Sequence, residues 1–404
     1  MIQSKRSIMK YTIVILSIAL IAGCTPFEKE GIHPAPMPST KPSDKIAKQI
    51  NNMSLSEKIG QLLIVGVEGY EIDENAKIMI EEEKIGGIIL LERNIENAKQ
   101  LLSLNNSLKS LNSSNAIPLF ISVDEEGGSV SRMPIEFKKL PTNREIGLLN
   151  DKKLCFEVGK LIAEEIKAFG YNMNFAPVLD INSNSQNTVI GDRAFGENAD
   201  IVSDLGVSTM NGIKSGGVVS VIKHFPGHGD TLVDSHVDLP VVNYDIDRLN
   251  AMELIPFKKS INEGADAVMV AHILMNKLDS EHPASMSKAV ATDLLREEMG
   301  FNGLVVTDDM TMGAIIKNYD IGQAAVMAIN AGVDIIMVCH GYDNQSKVIN
   351  ALQNAVRTGE VSEDRLNESL KRILKLKQKY NLKDEIIDSI NIEQINQRIG
   401  EITL

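Results

Sequence analysis

Several residue types are absent or scarce in this 404-residue chain, and each shortage excludes a class of protein. Trp is absent and aromatic residues make up only 4% of the sequence, which argues against a polysaccharide-binding module built on aromatic platforms. The three cysteines, Cys24, Cys155 and Cys339, do not indicate a disulfide framework, so a large hydrophobic core must supply the stability. We expect Cys155 and Cys339 to be buried thiols.

Positive charge is also in short supply. The sequence has 41 Lys and Arg against 54 Asp and Glu, a formal net charge of −13 at pH 7. Because phosphate binding requires a basic face, this balance argues against nucleic acid or a polyanionic surface as the partner. A short chain or a small sugar fits the composition better.

One segment concentrates ionisable side chains in a stretch too rich in glycine for a helix. Residues 223–236 contain three histidines, His224, His228 and His236, and follow the apolar run 218–222. A strand that ends in Lys and His and opens into a mobile Gly/Pro segment places ionisable groups over a pocket. We therefore interpret 223–236 as a catalytic loop, with a plain polar surface loop as the alternative.

Eight short apolar runs, each rich in Ile, Val, Leu or Met, predict strands. Longer amphipathic segments lie between them and after the last one. Strands that alternate with helices indicate a parallel sheet, and eight units in roughly 330 residues predict an α/β fold, a (β/α)8 TIM barrel. A doubly wound sheet is the alternative. The predicted strands are 61–67, 87–91, 119–123, 171–179, 218–222, 267–271, 304–307 and 335–339, and the predicted helices include 144–167, 201–215, 256–263, 323–331 and 344–358.

Polar side chains follow these strands at their carboxyl ends, which is the end of a barrel that carries the active site. Neighbouring side chains on a strand point to opposite faces, so we expect Asp308 rather than Asp309 to enter the barrel mouth. For His272 and His340, taken singly, a structural role is the preferred interpretation. The strand-end residues are Asp124, Asp180, Lys223, His224, His272, Asp308, Asp309 and His340.

The first residues have the pattern of an export signal. Three basic residues precede the apolar run 11–21, and two small residues then lead into Cys24. The run is shorter than the ~20 residues that a membrane span needs, which favours a cleaved lipoprotein signal over an uncleaved anchor. Cleavage before Cys24 and lipidation of this residue would tether the protein to the outer face of a bacterial cell membrane. The proline-rich stretch 25–43 would then be an extended spacer.

Five motifs together resemble one enzyme family. They are VDEEGGSVSR at 123–132, GDRAFG at 191–196, the 223–236 loop, HPAS at 282–285 and VTDDM at 306–310. The chain resembles the glycoside hydrolase family 3 β-N-acetylglucosaminidases, often called the NagZ type, from about residue 59 to residue 340. The family usually has DQEGGR where this chain has DEEGGS at 124–129, so an arginine is lost and an acid is gained near the site. This departure bears on the contacts with the aglycone rather than on the chemistry.

The resemblance implies a role for each matching residue. Asp308 matches the family's nucleophile, His236 its acid/base residue, and Asp234 the carboxylate partnered with that histidine. The groups that hold the sugar match Asp124, Arg132, Arg193, Lys223 and His224. A retaining glycosidase needs a carboxylate that forms a glycosyl-enzyme and a proton donor that later activates water. A histidine oriented by a nearby carboxylate can supply that proton near neutral pH.

Three other functions remain as alternatives. A zinc hydrolase could use His224, His228 and His236, although their spacing matches no helical HExxH pattern and Lys223 would repel a cation. A glycoside phosphorylase on the same scaffold would pair a histidine acid/base with an anionic nucleophile, and phosphate dependence would distinguish it. A non-catalytic sugar-binding lipoprotein would tolerate loss of the acid/base pair, which is present here.

These observations lead to a domain assignment. We predict a signal peptide at 1–23, a spacer from lipidated Cys24 to residue 45, a catalytic barrel at 46–385 and a C-terminal tail at 386–404. Without a second domain, the loop would have to close the site alone. We expect a monomer that needs no metal or other cofactor and acts on a small carbohydrate, namely GlcNAc-containing cell-wall fragments or chitooligosaccharides.

Overall fold

A closed barrel of eight parallel strands confirms the predicted (β/α)8 fold in this computed structural model. The structure describes residues 42–231 and 233–402, so the predicted signal, Cys24 and nearly all of the spacer lie outside the described residues. The barrel strands are β1 (Leu63–Gly66), β2 (Gly87–Ile89), β3 (Phe120–Val123), β4 (Met173–Asn174), β5 (Val219–Phe225), β7 (Ala267–Val270), β9 (Leu304–Asp309) and β10 (Ile335–Val338). Around the barrel their order is β1-β10-β9-β7-β5-β4-β3-β2.

The register shows how the sheet closes on itself. Ile64 of β1 lies opposite Gly87 of β2 on one side and Met337 of β10 on the other. Nearly every strand residue in the barrel is buried, as expected for a barrel interior filled by side chains. The described cysteines, Cys155 and Cys339, are buried free thiols. Two further short strands, β6 (Val241–Val242) and β8 (Leu274–Met275), pair in parallel outside the barrel.

Helices surround the barrel, and side-chain caps mark where several of them begin. Asn198 accepts hydrogen bonds from backbone amides in the first turn of α7 (Ala199–Ser215), and Asp320 accepts one in the first turn of α11 (Ile321–Ala331). Gly332 caps the end of α11 in a left-handed conformation. The helices are α1 (Pro42–Asn51), α2 (Leu55–Gly60), α3 (Glu74–Lys77), α4 (Ala98–Asn112), α5 (Asn143–Leu149), α6 (Lys152–Ala168), α7 (Ala199–Ser215), α8 (Ile246–Ala251), α9 (Ile255–Asn262), α10 (Gly313–Ile316), α11 (Ile321–Ala331), α12 (Tyr342–Thr358), α13 (Glu363–Lys379) and α14 (Ile392–Ile402). Short 3₁₀ segments occupy Glu92–Asn94, Gly191–Arg193 and Ala284–Met286, and π-helical segments occupy Ile78–Glu82 and Ala289–Glu298.

Two predicted elements differ most in extent from the structure. The single helix predicted at 144–167 is two helices, α5 and α6, because Asn150 adopts a left-handed conformation and Asp151 caps the next helix. The strand predicted at 171–179 is reduced to the two residues of β4. Pro177 has no N–H to donate to a neighbouring strand, so the regular ladder stops before it.

Across 42–231 and 233–402, none of the helices has both the length and the apolar character that a membrane span requires. Within 386–404, which was assigned to a tail, α14 forms and packs against α6. An ion pair between Arg398 and Glu164 joins these two helices.

A buried carboxylate at the amino end of β10 predicts a large stability effect. Asp334 is fully buried and receives hydrogen bonds from Arg296 at 2.6 Å, Ser369 at 2.7 Å and Arg372 at 3.0 Å. Asp334→Asn should lower the free energy of unfolding by about 3–5 kcal/mol, because it leaves buried guanidinium groups without their counter-charge. Urea unfolding monitored by circular dichroism measures this loss. Asp293→Asn, which breaks an exposed pair with Lys288, is the control and should unfold like wild type.

Candidate active site

A cavity of about 780 Å³ opens at the carboxyl end of the barrel. Its walls come from the ends of the barrel strands and from the loops that follow them, where barrel enzymes place their catalytic groups. Asp234 does not border the cavity but contacts His236, which does. The other residues predicted to act in the site all line it, namely Asp124, Arg132, Arg193, Lys223, His224, His236 and Asp308.

A charged network forms one wall of the cavity. The Lys223 ammonium lies 2.6 Å from an Asp124 oxygen and 2.7 Å from a Glu126 oxygen. Arg193 donates two hydrogen bonds, of 2.9 and 2.8 Å, to the two oxygens of Glu126. Burial alone would raise the pKa of Glu126, but Arg193 and Lys223 hold it well below its usual range. Burial alone would lower the pKa of Lys223, but Asp124 and Glu126 raise it, so both groups stay ionised.

His224 is oriented by a carboxylate behind it. Its Nδ1 lies 2.6 Å from Asp180, which is fully buried, and its Nε2 lies 3.4 Å from Arg193. Burial would raise the pKa of Asp180, but the interactions with His224 and His228 lower it. An ionised Asp180 accepts the Nδ1 proton, which leaves Nε2 on the side of Arg193 in the cavity wall.

Asp308 stands at the end of β9 with a carboxylate that is kept ionised. Burial would raise its pKa, but His272, His224 and the backbone N–H of Asp309 together lower it. The Asp309 amide donates to Asp308 Oδ1 at 2.8 Å. His236 also lowers the pKa of Asp308 through its charge, so these two groups are coupled electrostatically. An ionised carboxylate in a pocket beside a histidine can act as a nucleophile.

Asp309 also borders the cavity, so the expectation that only one of the two aspartates would reach the barrel mouth was wrong. The register between β9 and β10 shifts at this point, which interrupts the regular alternation of side chains. The Asp309 carboxylate nevertheless accepts hydrogen bonds from the amides of Thr311 at 3.0 Å and Cys339 at 2.9 Å. It is therefore committed to the backbone, whereas the Asp308 carboxylate accepts only its neighbour's amide among the described hydrogen bonds.

The loop after β5 carries a histidine and carboxylate pair. His236 Nδ1 lies 2.8 Å from Asp234 Oδ1, which also accepts the His236 amide proton at 2.9 Å. Partial burial would raise the pKa of Asp234, but these contacts with His236 lower it. The His236 side chain is 66% exposed, so its Nε2 is open to a ligand at the rim of the cavity.

Arg132 reaches the cavity from a segment that Glu125 holds in place. Glu125 is buried and accepts hydrogen bonds from the Arg132 amide at 2.6 Å and the Ser131 hydroxyl at 2.9 Å. Burial raises the pKa of Glu125 to about 7. Among the described residues, none bonds to the buried Nε of Arg132.

His272 and His340 both have hydrogen-bond partners in the structure. His272 is buried between the Ser285 hydroxyl at 2.7 Å and the carbonyl oxygen of Asp309 at 3.0 Å, and burial lowers its pKa. His340 lies 3.0 Å from an Arg93 nitrogen. Both contacts fit the structural role preferred from the sequence.

The zinc alternative receives no support from the geometry. His228 has both ring nitrogens in contact with hydroxyls, Thr231 at 2.7 Å and Ser235 at 3.0 Å, and His224 uses one nitrogen for Asp180. Within the described ranges, no group of three or more His, Cys, Asp or Glu side chains has an arrangement that could hold a metal ion.

Three functional residues were not assigned a role from the sequence. Asp180 was noticed at a strand end and Glu126 within a motif, yet their partners lie 44 and 67 residues away at His224 and Arg193. His228 was noticed only as part of the loop and as a possible zinc ligand. Two signals could have found the carboxylates: Asp180 follows a strand in a barrel, and Glu126 lies two residues beyond Asp124, itself at a strand end.

A (β/α)8 barrel that gathers carboxylates, cations and histidines in one cavity at its carboxyl end defines an enzyme. The model of the glycosyl hydrolase family 3 N terminal domain matches residues 54–376. "Beta-hexosaminidase A" of Pseudoalteromonas piscicida is 37% identical over 325 residues, which cover 74% of this chain and 54% of the relative. "Beta-hexosaminidase" of Methylobacillus flagellatus is 36% identical over 293 residues, covering 71% of this chain and 82% of the relative.

A solved structure shows the same fold. The glycoside hydrolase family 3 β-N-acetylglucosaminidase from Paenibacillus sp. str. FPU-7 superposes with a TM-score of 0.82 at 40% identity, over 87% of this chain and 68% of that one. The chain therefore belongs to glycosyl hydrolase family 3, which confirms the resemblance stated from its motifs. It spans about half the length of the Pseudoalteromonas relative, at 54%, and most of the Methylobacillus relative, at 82%.

The charged wall generates a prediction about Glu126. Glu126→Gln should lower kcat/KM by at least ~10-fold, chiefly through KM, because Arg193 and Lys223 lose the charge that positions them. Steady-state kinetics on an aryl β-N-acetylglucosaminide measures this change. Glu197→Gln, which breaks an exposed pair with Arg144, is the matched control and should behave as wild type.

Proposed function

We propose that this family 3 hydrolase is a retaining exo-β-N-acetylglucosaminidase. It releases terminal non-reducing GlcNAc from small peptidoglycan fragments or chitooligosaccharides. The names of the hexosaminidase relatives and of the Paenibacillus structure support the activity and the sugar. The observation that carries the mechanism is the 2.8 Å contact between His236 and Asp234 at the rim of the cavity that contains Asp308.

In this proposal Asp308 is the nucleophile. Its carboxylate attacks the anomeric carbon, the bond to the leaving sugar breaks, and a covalent glycosyl-enzyme forms. The lowered pKa of Asp308 supports this role because an ionised carboxylate is needed before the attack. Asp309 is a poorer candidate because its Oδ1 already accepts two backbone amides and its Oδ2 accepts the Thr311 hydroxyl.

His236 is the acid and then the base. It gives a proton to the departing glycosidic oxygen in the first step and takes one from water in the second, so the same ring serves both steps. Asp234, kept ionised by its contacts with His236, holds Nδ1 and leaves Nε2 directed away from the loop. The exposed ring lies where a leaving group or a water molecule has access.

The charged wall holds the sugar. Asp124, Lys223 and His224 present polar groups to the cavity, and Arg132 keeps an unpartnered donor. A buried array of paired charges suits the hydroxyls of a single terminal sugar, which exchange hydrogen bonds with fixed donors and acceptors. This supports an exo-acting site that takes one residue from a chain end.

Two variants with different expected signatures test the mechanism. Asp308→Ala should lower kcat/KM by at least ~10³-fold for both the GlcNAc disaccharide and its nitrophenyl glycoside, because no substitute carboxylate is in register. His236→Ala should lower kcat/KM by ~10²-fold or more for the disaccharide but far less for nitrophenyl, which departs without a proton. Azide should restore part of the His236→Ala rate by attacking the glycosyl-enzyme.

The controls separate this function from its alternatives. Asp238 lies in the same loop, and its exposed carboxylate accepts a hydrogen bond from the amide of the next residue. Asp238→Asn should have the activity of the wild type. Equal losses for both leaving groups in His236→Ala, without azide rescue, would assign the acid/base role to another residue. A rate that requires added phosphate and yields a sugar phosphate would identify a phosphorylase instead.

We also propose that the enzyme is a lipoprotein at the outer face of the bacterial cell membrane. The basic residues before the apolar run 11–21 and the small residues before Cys24 support this location. A lipid on Cys24 would hold the barrel near the membrane through the proline-rich stretch that follows.

Replacement of Cys24 tests the anchor. Cys24→Ala should abolish incorporation of radiolabelled fatty acid, because the lipid attachment site is lost. The variant should accumulate as an uncleaved or unlipidated precursor without the lipid tether. Cys155→Ala, which removes a buried thiol, is the control and should keep the label. Wild-type protein that takes up no label would refute the proposal.

A further inference from the structure

The segment that carries His236 is attached to α10, the helix that follows the strand of Asp308. Gly313 N donates to the carbonyl oxygen of His236 at 3.2 Å, and Ala314 N donates to that of Ser235 at 3.0 Å. The Lys317 ammonium donates to the carbonyl oxygen of Val237 at 2.6 Å. These contacts hold the backbone of 235–237 on the side of α10. The buried side of the segment has a different partner.

A buried histidine holds the inner side. Ser235 and His228 are each only 2% exposed, and His228 Nε2 lies 3.0 Å from the Ser235 hydroxyl. The Thr231 hydroxyl lies 2.7 Å from His228 Nδ1 and donates to the His228 carbonyl oxygen at 3.1 Å. Both ring nitrogens of His228 are therefore in hydrogen-bond contact with a hydroxyl, Nδ1 with Thr231 and Nε2 with Ser235.

His228 is itself anchored to the part of the site that holds the sugar. Its amide donates to Asp180 at 2.7 Å, and Asn187 donates to its carbonyl oxygen at 2.8 Å. Asp180 also orients His224. The next residue, Gly229, packs so closely on Ile181 that a Cβ there would lie 1.8 Å from the Ile181 carbonyl oxygen. The ring of His228 therefore has little freedom to move.

We propose that the buried hydrogen bond between His228 and Ser235 sets the position of His236 over the cavity. His228 and Ser235 are thus positioning residues for the proton transfer, and this inference rests on the acid/base role proposed for His236. The His236 ring is largely exposed and its described side-chain hydrogen bond is to Asp234, so its place depends on the backbone beneath it. Proton transfer is sensitive to such placement, because a shift of about 1 Å can cost ~10²-fold in rate.

Ser235→Ala tests the inference with the smallest change. It should lower kcat/KM for the GlcNAc disaccharide by about 10-fold and for the nitrophenyl glycoside by less than about 2-fold, because only the step that needs the acid is affected. His228→Gln, whose amide can still reach Ser235, should lose less on the disaccharide than His228→Asn. The use of kcat/KM confines the comparison to formation of the glycosyl-enzyme.

A double variant separates positioning from general damage. In the His236→Ala background, Ser235→Ala should cause no further loss on either substrate, since the group that it positions is gone. Ser203→Ala is the matched control: it removes a buried serine hydroxyl that bonds within α7, and it should keep the wild-type ratio of the two substrates. Thermal unfolding of both serine variants compares their stability.

Two results would overturn the inference. One is a Ser235→Ala variant whose ratio of kcat/KM for the two substrates stays at the wild-type value, whether or not both values fall. The other is a loss of activity from Ser235→Ala that adds to that of His236→Ala in the double variant. A His236→Ala variant that itself shows no preference between leaving groups would instead contradict the proposed acid/base role. The failure of the inferred positioning role of His228 and Ser235 and the failure of the proposed function are therefore distinct outcomes.

Discussion

The geometry of this site depends on one buried carboxylate. Asp180 is fully buried and accepts hydrogen bonds from the His224 ring at 2.6 Å and the His228 amide at 2.7 Å. The first contact fixes a residue of the cavity wall, and the second fixes the start of the loop that carries His236. Burying a carboxylate costs free energy unless hydrogen bonds satisfy both of its oxygens. The two contacts of Asp180 are therefore needed together. Asp180 thereby links a residue proposed to bind the sugar to the position of the proposed acid.

Charge balance explains how the cavity can hold so many ionised groups. The cations Lys223 and Arg193 share Glu126, and Lys223 also contacts Asp124. Such pairs leave little net charge in the wall, which lowers the cost of burying them. Asp308 has no cationic hydrogen-bond partner among the described contacts, and nearby histidines lower its pKa instead. It can therefore stay ionised without being neutralised by a partner that would compete with its reaction.

The sequence predicts the barrel well because its signal is local. Each strand is a short apolar run, and polar residues such as Asp124 and Asp308 follow directly, so their meeting at one end of the barrel needs only the rule for parallel strands. The pairing of Glu126 with Arg193 or of Asp180 with His224 depends on loop paths across 67 and 44 residues, which no periodicity encodes. The break between α5 and α6 was missed because an Asn in a left-handed conformation interrupts an otherwise continuous amphipathic pattern.

The two proposed chemical groups are held together by chain geometry as well as by charge. Asp308 is the penultimate residue of β9, and Gly313, five residues after Asp308, contacts the backbone of His236. A Cβ at Gly313 would lie 2.5 Å from the carbonyl oxygen of Val237 and 2.6 Å from that of His236, so only glycine permits this approach. The loop after β5 is thus seated on the segment that follows the nucleophile candidate. The hydrogen bonds from α10 to the carbonyl oxygens of Ser235 and His236 therefore tie the position of the proposed acid to the segment that follows the proposed nucleophile.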